Sequence, residues 1–170
     1  YLESKNEKKI LLAENFIEAK IFIKNGEKNK AKDILKTIVY ADDSAYSALS
    51  LFIILNEKLI DNNKDLSNMF DHVLKNNKFD KEIKNLIIFK KSLFESDFIK
   101  KEKLLKNLNP LIKGDSLWKP HALFLIGDYF LVKKELSEAK KYYSQILTLK
   151  NLDAELYERA TIQLAYIANE

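Results

Sequence analysis

The sequence contains no cysteine, only three glycines and only two prolines among its 170 residues. The lack of cysteine excludes a disulfide framework and any metal site built from thiolates. Three glycines leave no glycine-rich phosphate-binding loop, and the scarcity of turn residues argues against a fold of many short strands. The remaining expectation is an all-helical protein without an obvious reaction centre.

Long apolar runs and arginine are also scarce. The longest strongly apolar stretches, 48–55 and 122–132, fall well short of the roughly 18 to 20 residues that cross a bilayer. The chain opens on Tyr1 and a charged run, so no signal peptide or membrane anchor is predicted within it. All but one of the 29 basic residues are lysine, the exception being Arg159, and the formal net charge is +4. We interpret the lysine excess as a compositional bias that carries no ligand signal.

Hydrophobic residues make up 46% of the chain, which is enough for a packed core. They recur at helical spacing between short polar breaks, and no stretch alternates for long as a strand would. The pattern predicts one all-α domain over 1–170 with about nine helices. These form helical hairpins at about 5–40, 44–77, 79–109 and 117–150, followed by a capping helix at 153–169.

Two of these hairpins share an order of small, aromatic, small and large apolar residues at equal spacings. The positions are Ala19, Phe22, Ala31 and Leu35 in the first, and Gly127, Phe130, Ala139 and Tyr143 in the last. Equivalent positions lie 108 residues apart, which is three steps of 36 and close to the roughly 34-residue period of helix-turn-helix repeats. A small residue on each helix lets the two backbones approach, and an aromatic residue one turn away fills the remaining gap.

With Leu123 and Ile126 added, the last copy resembles the tetratricopeptide repeat. The match is good over 117–150, partial over 13–40, and only periodic over 44–110. The resemblance implies about four helical hairpins stacked into a curved solenoid and closed by the capping helix. An irregular helical bundle is the alternative.

A narrower resemblance lies in the C-terminal third, in the segments Trp118-Lys119-Pro120-His121-Ala122 and Leu156-Tyr157-Glu158-Arg159-Ala160. They are similar to the periplasmic domain of the YfgM-type ancillary subunits of the bacterial SecYEG translocon. The resemblance implies a non-enzymatic scaffold at the periplasmic face of the inner membrane, with translocon or chaperone subunits as partners. It also implies an anchor upstream of Tyr1, through which alone the protein would meet the membrane. A cytoplasmic adaptor is the alternative.

Residues with catalytic potential are few. His72 and His121 are the only imidazoles, and neither belongs to a spacing that ligates metal. We therefore predict no catalytic residue, cofactor, metal or small-molecule substrate. Lysine clusters at 28–32, 90–91, 100–103 and 140–141 raise nucleic acid as a partner. Interspersed acidic residues and the near absence of arginine make that the less favoured alternative.

In the repeat family, the first helix of each hairpin lines the concave surface. Helical phase carries that surface onto two sets of residues, which are Phe16, Lys20, Ile23 and Lys24 near the start, and His121, Phe124, Asp128 and Leu131 near the end. Apolar and charged groups at one-turn spacing suit an extended peptide or an amphipathic helix. Trp118 is predicted to anchor the last two hairpins, so that Trp118→Ala costs about 3–5 kcal/mol if the ring is buried.

Overall fold

The computed structural model describes all 170 residues and is entirely helical, as the sequence predicted. The nine helices are α1 (Leu2–Lys24), α2 (Lys28–Val39), α3 (Ser44–Asn56), α4 (Asn63–Asn76), α5 (Lys81–Glu95), α6 (Lys101–Lys113), α7 (Lys119–Val132), α8 (Leu136–Leu147) and α9 (Ala154–Ala168). None of them combines the length and the apolar content that a bilayer-spanning helix needs.

The chain divides into two compact units, Tyr1–Phe79 with α1 to α4 and Asp80–Glu170 with α5 to α9. In each unit, helices that follow one another along the chain pack together. The first helices of successive hairpins also touch, α1 against α3 in one unit and α5 against α7 in the other. Each unit therefore builds its core from two consecutive hairpins, and α9 adds a further helix against α8 in the second.

The second helix of each hairpin carries an apolar stripe that faces the core of its unit. In α2, Ala31, Leu35, Ile38 and Val39 are fully or almost fully buried, and α4 buries Leu66, Met69, Phe70 and Val73. Such spacing at three and four residues places the side chains on one helical face. In the second unit the equivalent stripe is continued by α6 and α8, and α7 adds buried residues from Ala122 to Gly127 together with Phe130.

The turns after α1 and α7 have the same geometry. Gly26 and Lys134 follow these helices in left-handed conformations, with φ of 78° and 59°. The next amide donates to the carbonyl of Phe22 at 2.8 Å in the first turn, and to that of Phe130 at 2.9 Å in the second. This is the Schellman motif, which satisfies carbonyls at the helix end. The two turns lie 108 residues apart, like the two signature segments.

Helix α6 extends beyond residue 109, where the third hairpin was predicted to end. It continues through Pro110 to Lys113. Leu104, Leu108 and Leu111 lie on one buried face of α6, and their burial offsets the backbone hydrogen bond that proline removes. Pro110 itself lies on the exposed side.

Candidate functional site

The outer face of α7 forms a ridge in the second unit. We use "α7 ridge" for His121, Leu125, Asp128 and Val132, which recur at four, three and four residues and so lie on one side of the helix. Val132 is 80% exposed, although it is aliphatic. The α7 ridge is bordered by α5 on one side and by α9 on the other, with a cleft along each border.

The first cleft, the α5/α7 cleft, has a volume of about 240 Å³. It is lined by Leu93, Ser96, Asp97, Leu125, Asp128, Tyr129, Val132 and Lys133. A volume below the roughly 300–1,000 Å³ of small-molecule sites is better matched to a single side chain than to a cofactor. Its apolar floor and exposed leucine, Leu93 at 51%, make it a surface suited to contact with another chain.

The second cleft, the α7/α9 cleft, lies on the opposite side of the α7 ridge. It has a volume of about 370 Å³ and is lined by Leu131, Val132, Lys134, Leu136, Gln163, Tyr166 and Glu170. Val132 lines both clefts. The two clefts therefore form one continuous face across α5, α7 and α9, which we call the three-helix face.

Helix α7, which carries the α7 ridge, approaches α8 closely at Gly127. A Cβ atom built on Gly127 would lie 2.6 Å from Cε1 of Tyr143 and 2.8 Å from its Cδ1. The Tyr143 ring is fully buried. Only glycine at position 127 leaves room for this ring, which is the physical reason for the small and aromatic pair in the sequence pattern.

Asp128 connects three helices of the unit. Its Oδ1 accepts a 2.6 Å hydrogen bond from the Tyr143 hydroxyl on α8, and its Oδ2 lies 3.4 Å from Nη2 of Arg159 on α9. Burial, together with the hydrogen bond to the Asp128 carboxylate, raises the pKa of Tyr143 well above its ordinary value. The phenol therefore stays protonated and remains a donor to Asp128 throughout the physiological range.

The only arginine of the chain stacks on an aromatic ring. The guanidinium carbon of Arg159 lies 4.3 Å from the centroid of Phe124, which is only 2% exposed. Stacking of a planar guanidinium on a ring favours arginine over lysine. Phe124, predicted as a binding residue, is thus covered by α9 and buried, while Leu131, two turns further along α7, lines the α7/α9 cleft.

The start of α7 is an aromatic cluster held to α5. Trp118 stacks on Phe89 with ring centroids 6.0 Å apart, and His121 lies 5.5 Å from Trp118. Glu82, in the first turn of α5, accepts hydrogen bonds from the Ser116 hydroxyl and from the Leu117 amide, both at 3.0 Å. These contacts hold the N-terminal parts of α5 and α7 together. Trp118 is half-buried, so the ring contributes less than a fully buried one would.

Burial and the nearby positive charge of Arg159 lower the pKa of His121 below its ordinary value of 6.5. At neutral pH the imidazole of His121, at the N-terminal end of the α7 ridge, is therefore neutral.

The residues predicted on α1 do not share one exposed face. Phe16 packs on Tyr46 of α3 with centroids 5.4 Å apart, and Lys20 lies over the Phe16 ring. Ile23 is half-buried, and Lys24 is exposed at the end of the helix. The exposed apolar side of α1 instead carries Ile10, Leu11, Ile17 and Ile21. The helical periodicity of the sequence did not predict this side, because apolar residues occur all around α1 and its apolar pattern points in no single direction.

The four residues predicted on α7 lie only partly on its exposed side, because the predicted surface is rotated about the helix axis relative to the α7 ridge. His121 and Asp128 do lie on the α7 ridge, whereas Phe124 and Leu131 point toward α9. Leu125 and Val132 complete the ridge, and the sequence prediction left both out. Their spacing from His121 was visible in the sequence, but which flank α9 covers was not.

His72 has a local structural role in the first unit. Its Nε2 lies 2.8 Å from Oδ1 of Asp42, and its ring lies edge-on to Tyr40 at 4.7 Å. No three histidine or acidic side chains in the chain converge on a point where a metal ion could bind.

No protein-family model, no curated protein and no solved structure matches the chain.

Proposed function

We propose that the protein is a protein-binding scaffold and that the three-helix face is its binding surface. The observation that carries the proposal is the pair of clefts on either side of the α7 ridge, joined by Val132 at 80% exposure. An exposed aliphatic residue between two apolar clefts is typical of a surface that contacts another chain.

The dimensions of the face suit an extended segment. Neighbouring packed helices lie roughly 8–10 Å apart, so three helices span about 20 Å. At about 3.3 Å per residue, an extended chain of roughly six residues crosses that distance. Its side chains alternate in direction, so every second residue would face the clefts. An amphipathic helix lying along the α7 ridge is the second geometry that the face accommodates.

Three local features that a tetratricopeptide-like arrangement would have support the proposal. The Gly127 and Tyr143 contact, the equivalent Schellman turns after α1 and α7, and the touching first helices within each unit are features of stacked helical hairpins. Such arrays present extended surfaces made by successive first helices. Here α5 and α7 are first helices, and α9 occupies the position of the next one.

The proposal also includes a cellular compartment, which rests on the resemblance to the YfgM-type subunits. On that basis the domain would act at the periplasmic face of the inner membrane, with translocon or chaperone subunits as partners. The resemblance lies in the segments 118–122 and 156–160, which border the three-helix face through Trp118, His121 and Arg159. The cytoplasmic adaptor is the alternative, and it uses the same face.

Site-specific photo-cross-linking in the native cell tests the function. A photo-reactive residue replaces Val132, and a matched variant carries it at Lys140, which is exposed on α8. Val132 is chosen as the probe position because it is 80% exposed, whereas the ring of Phe124 is buried. We expect defined protein adducts from Val132 only, and their identity assigns the compartment.

Equal adducts from both positions, or adducts to nucleic acid, would contradict the proposed binding surface. Translocon or periplasmic chaperone subunits at Val132 support the periplasmic version, whereas soluble cytoplasmic proteins support the alternative.

A further inference from the structure

The α5/α7 cleft combines an apolar floor with two carboxylates. Leu125, which is buried, supplies the floor, and the exposed Leu93 and Val132 supply the apolar sides. Asp97 and Asp128 also line the cleft. This acidic character contrasts with the chain as a whole, whose formal net charge is +4. Among the residues that line the cleft, two carboxylates face one ammonium, that of Lys133.

Both carboxylates have capacity for a further partner. Asp97 is exposed and has no hydrogen bond or ion pair of its own. Asp128 accepts one hydrogen bond at each oxygen, the one from Arg159 being long at 3.4 Å. An ionised carboxylate offers about four acceptor positions, so two remain available.

The one cation that lines the cleft pairs with neither carboxylate, and the only cation paired with either of them is Arg159, whose Nη2 lies at a long 3.4 Å from Oδ2 of Asp128. The Lys133 ammonium lies over the Tyr129 ring, 5.6 Å from its centroid, and pairs with neither carboxylate. Tyr129 itself is tied to the backbone, because its hydroxyl donates to the carbonyl of Ile99 at 3.4 Å. A positively charged group that enters the cleft thus meets two carboxylates across an apolar floor.

We propose that the α5/α7 cleft binds a lysine or arginine side chain of a partner polypeptide, with the aliphatic stem on Leu93 and Leu125 and the charged end between Asp97 and Asp128. The volume of about 240 Å³ accommodates one long side chain. Lysine and arginine carry an apolar stem and a cationic end, which matches this arrangement of floor and rim. The inference rests on the proposed function, since it names the residue class that the three-helix face selects.

A positional hexapeptide library tests this inference on the full chain. Each position is fixed in turn as Lys, Arg, Leu or Glu, and binding is measured at low and high ionic strength. We expect one position to prefer Lys and Arg over Leu by roughly three- to tenfold at low salt, with Glu disfavoured. Salt should weaken this preference because the carboxylates are partly exposed.

Variants of Asp97 separate recognition from folding. Asp97 lies in the turn between α5 and α6 and has no partner to lose. Asp97→Asn should reduce the basic preference, and Asp97→Lys should reverse it toward Glu at the same peptide position. Asp115→Asn is the matched control, because Asp115 is also exposed in a turn but lies outside the cleft.

The outcomes distinguish the two proposals. This inference would be overturned if peptides bind and Val132→Glu abolishes their binding, but no peptide position prefers Lys or Arg, or Asp97→Lys leaves that preference unchanged. Such a result would leave the binding scaffold standing. If no peptide binds and the Val132 cross-links are also absent, the proposed function fails. A dimer of the chain that Asp97→Lys dissociates would replace the partner polypeptide with a second copy and overturn the assignment.

Discussion

Gly127→Ala is the substitution that most sharply tests the packing of α7 on α8. The added methyl group would lie 2.6–2.9 Å from three ring carbons of Tyr143. The ring has nowhere to move, because it is fully buried and its hydroxyl is held by Asp128 at 2.6 Å. Excess volume in a packed core costs about 1–3 kcal/mol.

The gain in helix propensity works in the opposite direction. Alanine in place of glycine inside a helix stabilises by about 0.5–1 kcal/mol. The steric cost exceeds this gain, so we expect Gly127→Ala to lower the free energy of unfolding by about 1–2 kcal/mol. At about 2–4 °C per kcal/mol for a chain of this size, the melting temperature should fall by roughly 2–8 °C.

Two further variants make the assay decisive. Gly114→Ala is the matched control, since its Cβ would meet only the Pro110 carbonyl oxygen at 3.8 Å, and we expect a change within about 0.5 kcal/mol. The first hairpin carries Ala19 and Leu35 at the equivalent positions. We therefore expect Tyr143→Leu to relieve Gly127→Ala, with a favourable coupling of about 1 kcal/mol or more in the double-mutant cycle. Urea melts that show Gly127→Ala to be neutral or stabilising would refute the packing argument.

Three further predictions concern pH, the aromatic cluster and the turns. Because the folded pKa of His121 lies below its ordinary value of 6.5, the unfolded chain binds more protons, and stability should fall as pH drops below about 6.5; urea melts from pH 7.5 to 5 should show a shallower fall for His121→Gln. Trp118→Ala should cost about 1–3 kcal/mol, less than a fully buried ring would, and a thermal melt equal to wild type would contradict the stacking on α5. Lys134→Gly should stabilise by about 0.5–1 kcal/mol and Gly26→Ala should destabilise by a similar amount, because both positions have positive φ; equal melting temperatures for the two variants would contradict this.

Sequence periodicity was sufficient for the fold class because the strong stripes belong to helices with one covered face. α2, α4, α6 and α8 each bury one side, so their pattern is clear. The pattern predicted that the third hairpin ends at 109 because it does not show the burial of Leu104 and Leu111, which keeps α6 helical through Pro110.

The proposed binding surface was harder to predict because it depends on which flank of α7 is covered. Six consecutive residues from Ala122 to Gly127 are buried, so apolar content does not reveal direction in that stretch. Arg159, the contact that covers Phe124, comes from a helix more than 30 residues along the chain. Asp97 lies in a turn and belongs to no periodic pattern, so only the folded structure places it beside Asp128.

The most direct test of the binding surface is methyl NMR of the full chain, titrated with the strongest peptide from the library. We expect the shift changes to centre on the methyl groups of Leu93, Leu125 and Val132, while Ile162, which is exposed on α9 but lines neither cleft, stays unchanged. Shifts that centre on Ile162 or on the outer faces of α6 and α8, with the α7 ridge unaffected, would contradict it.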